Sequence, residues 1–193
     1  MKRALFFLIL ILALSSLYIT SCKTNDKNND STQVDSIGQQ YAGGIIAYIL
    51  QPGDFGYKDG EKHGIIVAPS DLARGAVWGC SGIQISGADS TKIGYGNQNT
   101  VDIMAGCSSA NIAARLCGDL ILRGYDDWYL PSRDELNKVF MSKNLIGGFA
   151  DTAYWSSTEC NRDSVWKQSF KTGMQGNDGL KTTSYYVRAI RSF

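Results

Sequence analysis

The sequence predicts an α+β domain in which short strands open and close the chain and two helices lie between them. Three observations lead to this prediction. Short apolar runs bounded by glycine or proline occur in the first and last parts of the folded region. Two central segments carry apolar residues at helical spacing. A composition with 21 Gly, 3 Pro, 10 Tyr and 4 Trp is typical of a loop-rich globular domain with strands, and not of a helical bundle.

The chain begins with the pattern of a secretory signal peptide. A short cationic start precedes an uncharged apolar run over residues 4–14, which is shorter than the roughly 20 residues that span a bilayer. Residues 19–22, Ile-Thr-Ser-Cys, resemble a bacterial lipobox, in which the cysteine is acylated and becomes the mature N-terminus. We therefore expect residues 1–21 to be removed and Cys22 to carry a lipid. An uncleaved transmembrane anchor is the alternative.

The mature chain is nearly neutral. The charged residues of the signal peptide are one lysine and one arginine, so their removal changes the net charge from +1 to −1. This balance argues against nucleic acid as a partner. Lys23 stands where an aspartate retains lipoproteins at the inner membrane of some bacteria, which indicates the outer membrane. The polar residues 22–40 are predicted to form the lipidated cysteine and a flexible tether, and residues 41–193 the folded domain.

The first two strands of this domain are predicted to form a hairpin. Residues 43–50 and 64–68 are apolar runs rich in isoleucine, and Pro69 ends the second run. The connection between them contains Pro-Gly-Asp at 52–54 and Lys-Asp-Gly at 58–60, which are strong turn sequences. A hairpin with a long connection follows from this pattern.

A long polar loop is predicted over residues 81–106, after a short apolar piece at residues 76–78. Cys80 and Cys107 lie at its two ends in matching Gly-Cys-Ser contexts. An even number of cysteines beyond the lipidated one favours disulfides in an exported protein, and this pair is the favoured one. The disulfide candidates Cys117 and Cys160 remain, either as a second pair or as separate buried thiols.

Two helices are predicted in the middle of the chain. Residues 108–123 carry isoleucine and leucine every four residues, with Ser108 or Ser109 capping the start and Gly124 closing the end. The second helix begins at Ser132, where Ser-Arg-Asp-Glu has the spacing of a capping box.

The last third of the chain is predicted to be β-structure. Residues 154–158 and 165–170 are expected to be strands, and residues 173–179 a turn. Residues 185–191 are expected to form one final strand with alternating faces.

Four blocks in the second half of the chain resemble the signatures of a known family. They are Asp-Trp-Tyr-Leu-Pro-Ser-Arg-Asp-Glu-Leu at 127–136, Tyr-Trp-Ser-Ser-Thr at 154–158, the spaced Trp166, Phe170 and Gly173, and Tyr-Val-Arg-Ala-Ile-Arg at 186–191. Their order and spacing resemble the domain at the C-terminus of a bacterial collagen-like adhesin, which also occurs in many exported lipoproteins. The resemblance covers residues 43–193. It implies a C-type-lectin-like fold with mainly antiparallel strands and, for the adhesin, binding of sulfated glycans.

The residues that carry this resemblance are expected to have structural roles. The three tryptophans are expected in the core. The two arginines are expected to pair with buried acids such as Glu135, because the guanidinium fork matches a carboxylate. Their alternative role is to hold a sulfate or carboxylate of a glycan. The structural signature consists of Trp128, Pro131, Glu135, Leu136, Trp155, Trp166, Arg188 and Arg191.

The candidate ligand-binding residues lie on segments expected to be exposed loops. Their amides, acids and aromatic ring suit hydrogen bonding to sugars and stacking on them. Calcium is possible but lacks support, because the Glu-Pro-Asn and Trp-Asn-Asp triplets of sugar-binding C-type lectins are absent. No other cofactor or metal is predicted, since the chain has one histidine and no Cys-x-x-Cys. The candidates are Tyr95, Asn97, Asn99, Glu159, Asn161 and Asp163.

Catalysis is not predicted. His63, the one histidine, lies in a turn, and no Gly-x-Ser-x-Gly occurs. Sulfatase-activating enzymes share a distantly lectin-like fold and use a reactive cysteine pair. Cys117 or Cys160 would have to serve here, yet no neighbouring residue indicates a lowered thiol pKa.

The sequence therefore predicts an exported protein that is attached to a membrane by lipid and binds a glycan or a surface protein. The second hypothesis is a structural component of a surface layer or appendage that has no small ligand. An enzyme is the third.

Overall fold

The structure is a computed structural model that describes residues 36–193. The predicted signal peptide, the predicted lipid at Cys22 and the predicted tether as far as residue 35 lie outside the described residues. Within residues 36–193, no helix has the length and apolar character needed to cross a membrane.

The described residues form strands at both ends of the chain and helices between them. The strands are β1 (Gln40–Tyr41), β2 (Gly44–Ile49), β3 (Gly64–Val67), β4 (Ala73–Val77), β5 (Ala153–Glu159), β6 (Ser164–Ser169), β7 (Gln175–Leu180), β8 (Ser184–Val187) and β9 (Ile190–Ser192). The helices are α1 (Gly96–Gly106), α2 (Ala113–Gly118), α3 (Arg133–Met141) and α4 (Lys143–Ile146). This order confirms the predicted α+β class, with four helices in place of the expected two.

The first sheet has the order β1-β2-β3-β9, and all its neighbours are antiparallel. The predicted hairpin is confirmed as β2 and β3, with Ile46 opposite Ile66. The N–H of Gly38 donates to the carbonyl of Ile46 at 2.8 Å, and Gln40 begins β1. The folded domain therefore starts before the predicted boundary at residue 41.

The second sheet has the order β4-β8-β5-β6-β7. Its one parallel pair joins β5 to β8, where Tyr154 lies opposite Tyr186. The other neighbours are antiparallel. The second sheet thus brings the chain segment before the helices, in β4, against segments that follow them.

Two hydrophobic clusters fill the interior. The larger contains Trp78, Trp128 and Trp155, and the smaller contains Tyr154 and Phe170. Indole N–H groups are satisfied inside the larger cluster: Trp155 donates to the carbonyl of Ala76 at 2.8 Å, and Trp78 to that of Ser156 at 3.0 Å. Buried tryptophans pack best when this donor has a partner.

Two of the three signature tryptophans, Trp128 and Trp155, are buried as expected. The third, Trp166, is only half-buried, and the guanidinium of Arg133 lies 4.9 Å from its ring centroid. Trp166 is therefore a partly exposed cation–π partner and not a core residue.

The prediction of one long loop at residues 81–106 is wrong, because its last part is helix α1. This helix has no side-chain N-cap and no acidic residue in its first turn. Its buried face contains polar residues: the side-chain amide of Asn99 donates to the carbonyl of Ser90 at 2.7 Å, and the Thr100 hydroxyl accepts from the N–H of Leu130 at 3.0 Å. A helix with polar groups inside has no apolar periodicity to detect.

The helix predicted at residues 108–123 is much shorter in the structure, where α2 has six residues. Its N-cap position is Ile112, so neither Ser108 nor Ser109 caps it. The helix ends at Gly118, with Asp119 as its C-cap, well before Gly124. The residue before this start, Asn111, has a positive φ of 58°. That turn interrupts the helix that the apolar spacing alone suggests.

The predicted turn at residues 173–179 is also wrong in its second half, which forms β7 and pairs with β6. Gly179 makes this pairing compact, since a Cβ there would lie 2.6 Å from the Trp155 ring and 2.9 Å from the carbonyl oxygen of Val165. Glycine in a strand permits such a close approach. Gly179, which the sequence suggests as a turn residue, therefore lies in a strand and allows close packing against Trp155.

The single final strand predicted at residues 185–191 is two strands in different sheets. β8 ends at Val187 and lies in the second sheet, whereas β9 begins at Ile190 and lies in the first. The chain crosses between the sheets at Ala189, whose carbonyl accepts the N–H of Ala68 at 2.9 Å. Both segments are apolar and alternating, so their sequence does not reveal the crossing.

The predicted disulfide between Cys80 and Cys107 is confirmed. Cys117 and Cys160 are both free thiols, so the expectation of separate thiols holds, although only Cys117 is fully buried. Burial raises the pKa of the Cys117 thiol, and burial together with the Glu159 carboxylate raises the pKa of Cys160 to about 11. Neither environment favours a reactive thiolate.

The predicted capping box at the start of α3 is confirmed, and it gives a testable difference between two serines. Ser132→Ala is expected to lower the free energy of unfolding by about 1–2 kcal/mol, because the hydroxyl both caps α3 and donates to the carbonyl of Lys92 at 2.8 Å. Urea denaturation measures the change. Ser108→Ala is the control, since Ser108 is exposed and caps no helix, and equal losses in both variants would contradict the assignment.

Candidate functional site

Two cavities share Phe55 and Ile93 in their walls, and the two together are here called the groove. The first, here called the apolar pocket, has a volume of about 250 Å³ and is walled chiefly by Leu50, Phe55, Ile65, Ile93 and Phe193. The second, here called the polar pocket, has a volume of about 380 Å³. Phe55 and Ile93 line both pockets, while Asp54, Lys92, Tyr95 and Asp134 line only the polar one.

Phe55 is held on the connection between β2 and β3. The Asp54 carboxylate accepts the Tyr48 hydroxyl at 2.7 Å and the N–H of Gln51 at 2.8 Å, which fixes the turn just before Phe55. Burial and the Asp54 carboxylate raise the pKa of Tyr48 to about 12, so this phenol stays a donor at neutral pH. The turn fixed by Asp54 presents the Phe55 side chain to solvent, and 64% of the surface of Phe55 is exposed.

The opposite wall of the groove lies close to Phe55 because of a glycine. Gly94 has a φ of +87°, and a Cβ there would lie 2.6 Å from the Phe55 ring. The next residue, Tyr95, places its ring centroid 5.3 Å from that of Phe55. The two aromatic rings therefore form a continuous partly exposed surface at the groove.

Glu135 is fully buried and lines the apolar pocket. Its carboxylate accepts the N–H of Gly94 at 2.9 Å, the N–H of Ser132 at 2.7 Å and the Tyr129 hydroxyl at 3.4 Å. Burial raises the pKa of Glu135, and the two backbone donors oppose that rise. Glu135 thus joins the start of α3 to the groove wall at Gly94.

The expected pairing of Glu135 with an arginine is wrong. Arg188 instead pairs with Asp71 at 2.9 Å, and Arg191 pairs with Asp127 through two nitrogens at 2.6 and 2.8 Å. Arg191 lowers the pKa of Asp127, whereas burial raises that of Asp71. Both arginines are engaged by protein carboxylates away from the groove, which leaves them poorly placed to hold a sulfate.

The polar groups of the two pockets differ in how far they are satisfied. In the apolar pocket, the His63 ring nitrogens lie 3.2 Å from the Phe193 carbonyl and 2.8 Å from the Glu61 carboxylate. The Ser192 hydroxyl lies 2.8 Å from that of Tyr129. In the polar pocket, the Lys92 ammonium is exposed and has no hydrogen-bond partner among residues 36–193. Among residues 36–193, the polar pocket therefore has a free donor, whereas the side-chain oxygens of the apolar pocket are bonded within the domain.

The carboxylates of the polar pocket are likewise partly free. Asp54 uses one oxygen for Tyr48 and Gln51, and the other has no hydrogen-bond partner within the described chain. Asp134 uses one oxygen to accept from Arg133 at 2.8 Å. Acceptors and one donor thus face the space beside the aromatic rings.

The structure brings only one predicted ligand-binding residue, Tyr95, to the groove. Asn97 is exposed at the start of α1 and lines neither pocket. Asn99 and Glu159 are buried, so the expectation that they lie on exposed loops is wrong. Asn99 bonds inside the domain, and Glu159 pairs with a buried lysine.

Asn161 and Asp163 shape the turn between β5 and β6. The Asn161 side-chain oxygen accepts the N–H groups of Asp163 and Ser164 at 2.9 and 3.0 Å. Asp163 in turn accepts the N–H of Gly82 at 2.9 Å. These bonds give both residues a structural role at a distance from the groove.

Sequence reasoning missed Phe55, Lys92 and Asp134. A usable signal was present for Phe55, because an aromatic residue directly follows the turn sequence Pro-Gly-Asp. Lys92 and Asp134 gave no signal, since the fold alone brings them together. Within residues 36–193, no group of three or more His, Cys, Asp or Glu side chains is arranged to hold a metal ion.

Comparison with known proteins identifies related domains. The family described as the Lcl C-terminal domain matches residues 69–191. The crystal structure of a fimbrial protein from Bacteroides ovatus ATCC 8483 is similar at a TM-score of 0.54 with 15% identity, over 83% of this chain and 45% of that one. This chain thus spans less than half of that protein, and the likeness shows a shared fold. No curated protein matches the chain.

Proposed function

Because the chain belongs to the Lcl C-terminal domain family, we propose that it is an exported, lipid-anchored binding protein whose C-type-lectin-like domain takes a glycan in the groove beside Phe55. The anchor is the lipid on Cys22, and the location is the bacterial outer membrane. The domain binds its ligand and does not transform it. The observation that carries this proposal is the exposed Phe55–Tyr95 surface next to unsatisfied polar groups.

A sugar ring suits this surface because it has an apolar face and a rim of hydroxyl groups. The Phe55 and Tyr95 rings supply an apolar face of matching size. Lys92 supplies donors, and Asp54 and Asp134 supply acceptors for the hydroxyls. A few directed polar groups beside aromatic side chains are typical of small-ligand sites.

The charges of the groove favour a glycan without sulfate. Two carboxylates, Asp54 and Asp134, face the polar pocket against one ammonium, that of Lys92. Sulfate groups would meet net negative charge here. The proposal therefore departs from the sulfated ligands that the resemblance to the adhesin implies, and names a neutral glycan.

A second candidate function is that of a structural component of a surface appendage with no small ligand. The observation that favours it is the fold shared with a protein described as fimbrial. Under this alternative the groove is a contact surface for a protein neighbour, and the test below separates the two.

The test is a glycan array probed with the full chain, with and without calcium and at low and moderate salt. We expect saturable binding to neutral glycans, and we expect the affinity to change little with calcium or with salt concentration. Phe55→Ala is expected to weaken binding about tenfold, equal to about 1.4 kcal/mol. Met174→Ala is the matched control, because Met174 is similarly exposed and lies outside the groove. A silent array, or equal losses in both variants, would overturn the glycan proposal and favour the structural one.

A further inference from the structure

We infer that the apolar pocket is a subsite for a short uncharged acyl group carried by the glycan, so that the ligand class is an acylated sugar. This inference rests on the proposed function. The sugar would lie in the polar pocket, on the Phe55–Tyr95 surface, and the acyl group would pass the edge of the Phe55 ring into the neighbouring cavity.

The walls of the apolar pocket suit such a group. Leu50, Ile65, Ile93, Phe55 and Phe193 present aliphatic and aromatic surface on several sides. Burying apolar surface of a ligand against these side chains is favourable in proportion to the area removed from water. A sugar hydroxyl placed among them would instead lose its hydrogen bonds to water.

The side-chain oxygens at this pocket are already paired. Glu135 accepts two backbone N–H groups, and the hydroxyls of Ser192 and Tyr129 bond to each other. The two ring nitrogens of His63 both face acceptors, so a neutral ring donates to one of them and a protonated ring donates to both. An apolar group that displaces water from the pocket therefore leaves these side-chain oxygens bonded. Unsatisfied polar groups are the main penalty against apolar ligands.

The pocket also discriminates against charged ends. Glu135 lines the cavity, and its carboxyl oxygens accept from three donors within the protein. A ligand carboxylate would meet this group with no free cation beside it within the described chain. An acyl amide or ester has no charge and avoids that cost.

Size sets the length of the acyl group. A cavity of about 150 Å³ accommodates benzene, which has six heavy atoms. The apolar pocket, at about 250 Å³, therefore has room for an acyl chain of roughly six carbons. Phe55 and Ile93 line both cavities, so a ligand that extends past these two side chains contacts both.

The test uses hexanamide as a neutral acyl probe, with hexanoate and acetamide for comparison. The isotope-labelled full chain in detergent is titrated with each compound, and the amide NMR shifts of Gly94 and Ser192 are followed. We expect saturable shifts with hexanamide and a dissociation constant on the order of 1 mM, as suits a small ligand. Hexanoate and acetamide are expected to bind at least tenfold more weakly.

Two variants check that the probe enters the pocket. Ile93→Trp fills the cavity and is expected to weaken hexanamide binding at least tenfold. Ile83→Trp makes the same change at an exposed position outside both pockets and is expected to have no effect. Loss in both variants, no saturation, or equal binding of hexanoate would overturn the inference.

The NMR titration and the glycan array test separate statements, so a negative result in one can be told apart from a negative result in the other. Array binding by glycans without acyl groups, together with no hexanamide binding, would overturn the acyl subsite and leave the proposed function standing. Hexanamide binding with a silent array would show that the pocket takes an acyl group, but it would overturn the glycan proposal and with it the acylated sugar as ligand.

Discussion

Replacing Lys181 by alanine is expected to lower the free energy of unfolding by about 3–5 kcal/mol. Lys181 and Glu159 form an ion pair whose side chains are 0% and 1% exposed. Removing one partner leaves the other charge buried and uncompensated, which costs far more than the net stabilisation that an ion pair contributes.

The surroundings of the Lys181–Glu159 pair make the expected loss of stability larger than the loss from a single contact. Glu159 also accepts the N–H of Ile85 at 2.9 Å, and Lys181 donates to the carbonyl of Ile83 at 2.6 Å. The Lys181 ammonium lies 4.7 Å from the Trp78 ring centroid. The pair therefore attaches the segment around residues 83–85 to the second sheet. When Lys181 is replaced, this segment loses the hydrogen bond from the lysine to Ile83.

Urea denaturation of Lys181→Ala measures this effect. The matched control is Lys58→Ala, because Lys58 and Glu61 form an ion pair of 3.4 Å whose side chains are 64% and 56% exposed. That control is expected to change the free energy of unfolding by less than about 1 kcal/mol. The double variant Lys181→Met with Glu159→Gln removes both charges and is expected to recover much of the loss. Similar losses for the buried and the exposed pair would refute the prediction.

Removing the disulfide by Cys80→Ala together with Cys107→Ala is expected to lower the free energy of unfolding by about 3.5 kcal/mol. The two cysteines are separated by 27 residues, and closing a loop of that length restricts the unfolded chain. Cys107 is also buried in the larger hydrophobic cluster, so its loss removes packing as well.

Denaturation with and without a reducing agent separates the effect of the disulfide bond from the effect of removing the two cysteine side chains. The reductant is expected to destabilise the wild-type chain by a similar amount and to leave the double variant unchanged. Cys160→Ala serves as the control, because Cys160 is a free, half-buried thiol, and it is expected to change stability by less than about 1 kcal/mol. If the reductant leaves the wild-type chain as stable as before, the disulfide does not contribute as described.

Sequence reasoning succeeded where local chemistry decides the structure. The β2–β3 hairpin follows from apolar runs separated by turn residues, and the start of α3 follows from the Ser132 and Glu135 pair. The Cys80–Cys107 bond follows from matching contexts at the ends of one segment. In each case a pattern visible within one stretch of the sequence carries the information.

Sequence reasoning failed where distant contacts decide. Helix α1 buries Asn99 against Ser90 and Ser157, so its inner face is polar and has no apolar period. The crossing at Ala189 depends on Ala68, which lies far away in the chain. The carboxylate partners of the two arginines, Asp71 and Asp127, were likewise missed in favour of Glu135.

Of the predicted ligand-binding residues, only Tyr95 lies in the groove. Tyr95 belongs to a segment with obvious loop composition, whereas Phe55 and Lys92 become neighbours only when the β2–β3 connection folds over the segment before α1. Glu135 was expected to pair with an arginine because the guanidinium fork matches a carboxylate. Backbone N–H groups fill that role instead, and sequence does not show them.

The connection between β2 and β3 lies outside residues 69–191, the part of the chain that matches the family. One wall of the groove, with Lys92 and Tyr95, thus belongs to the shared domain, and the other, with Phe55, does not. A lengthened or exchanged connection would leave both sheets and both hydrophobic clusters intact. Because Phe55 lies on this connection, a change confined to residues 50–63 would alter the wall of the groove without altering the pairing of either sheet.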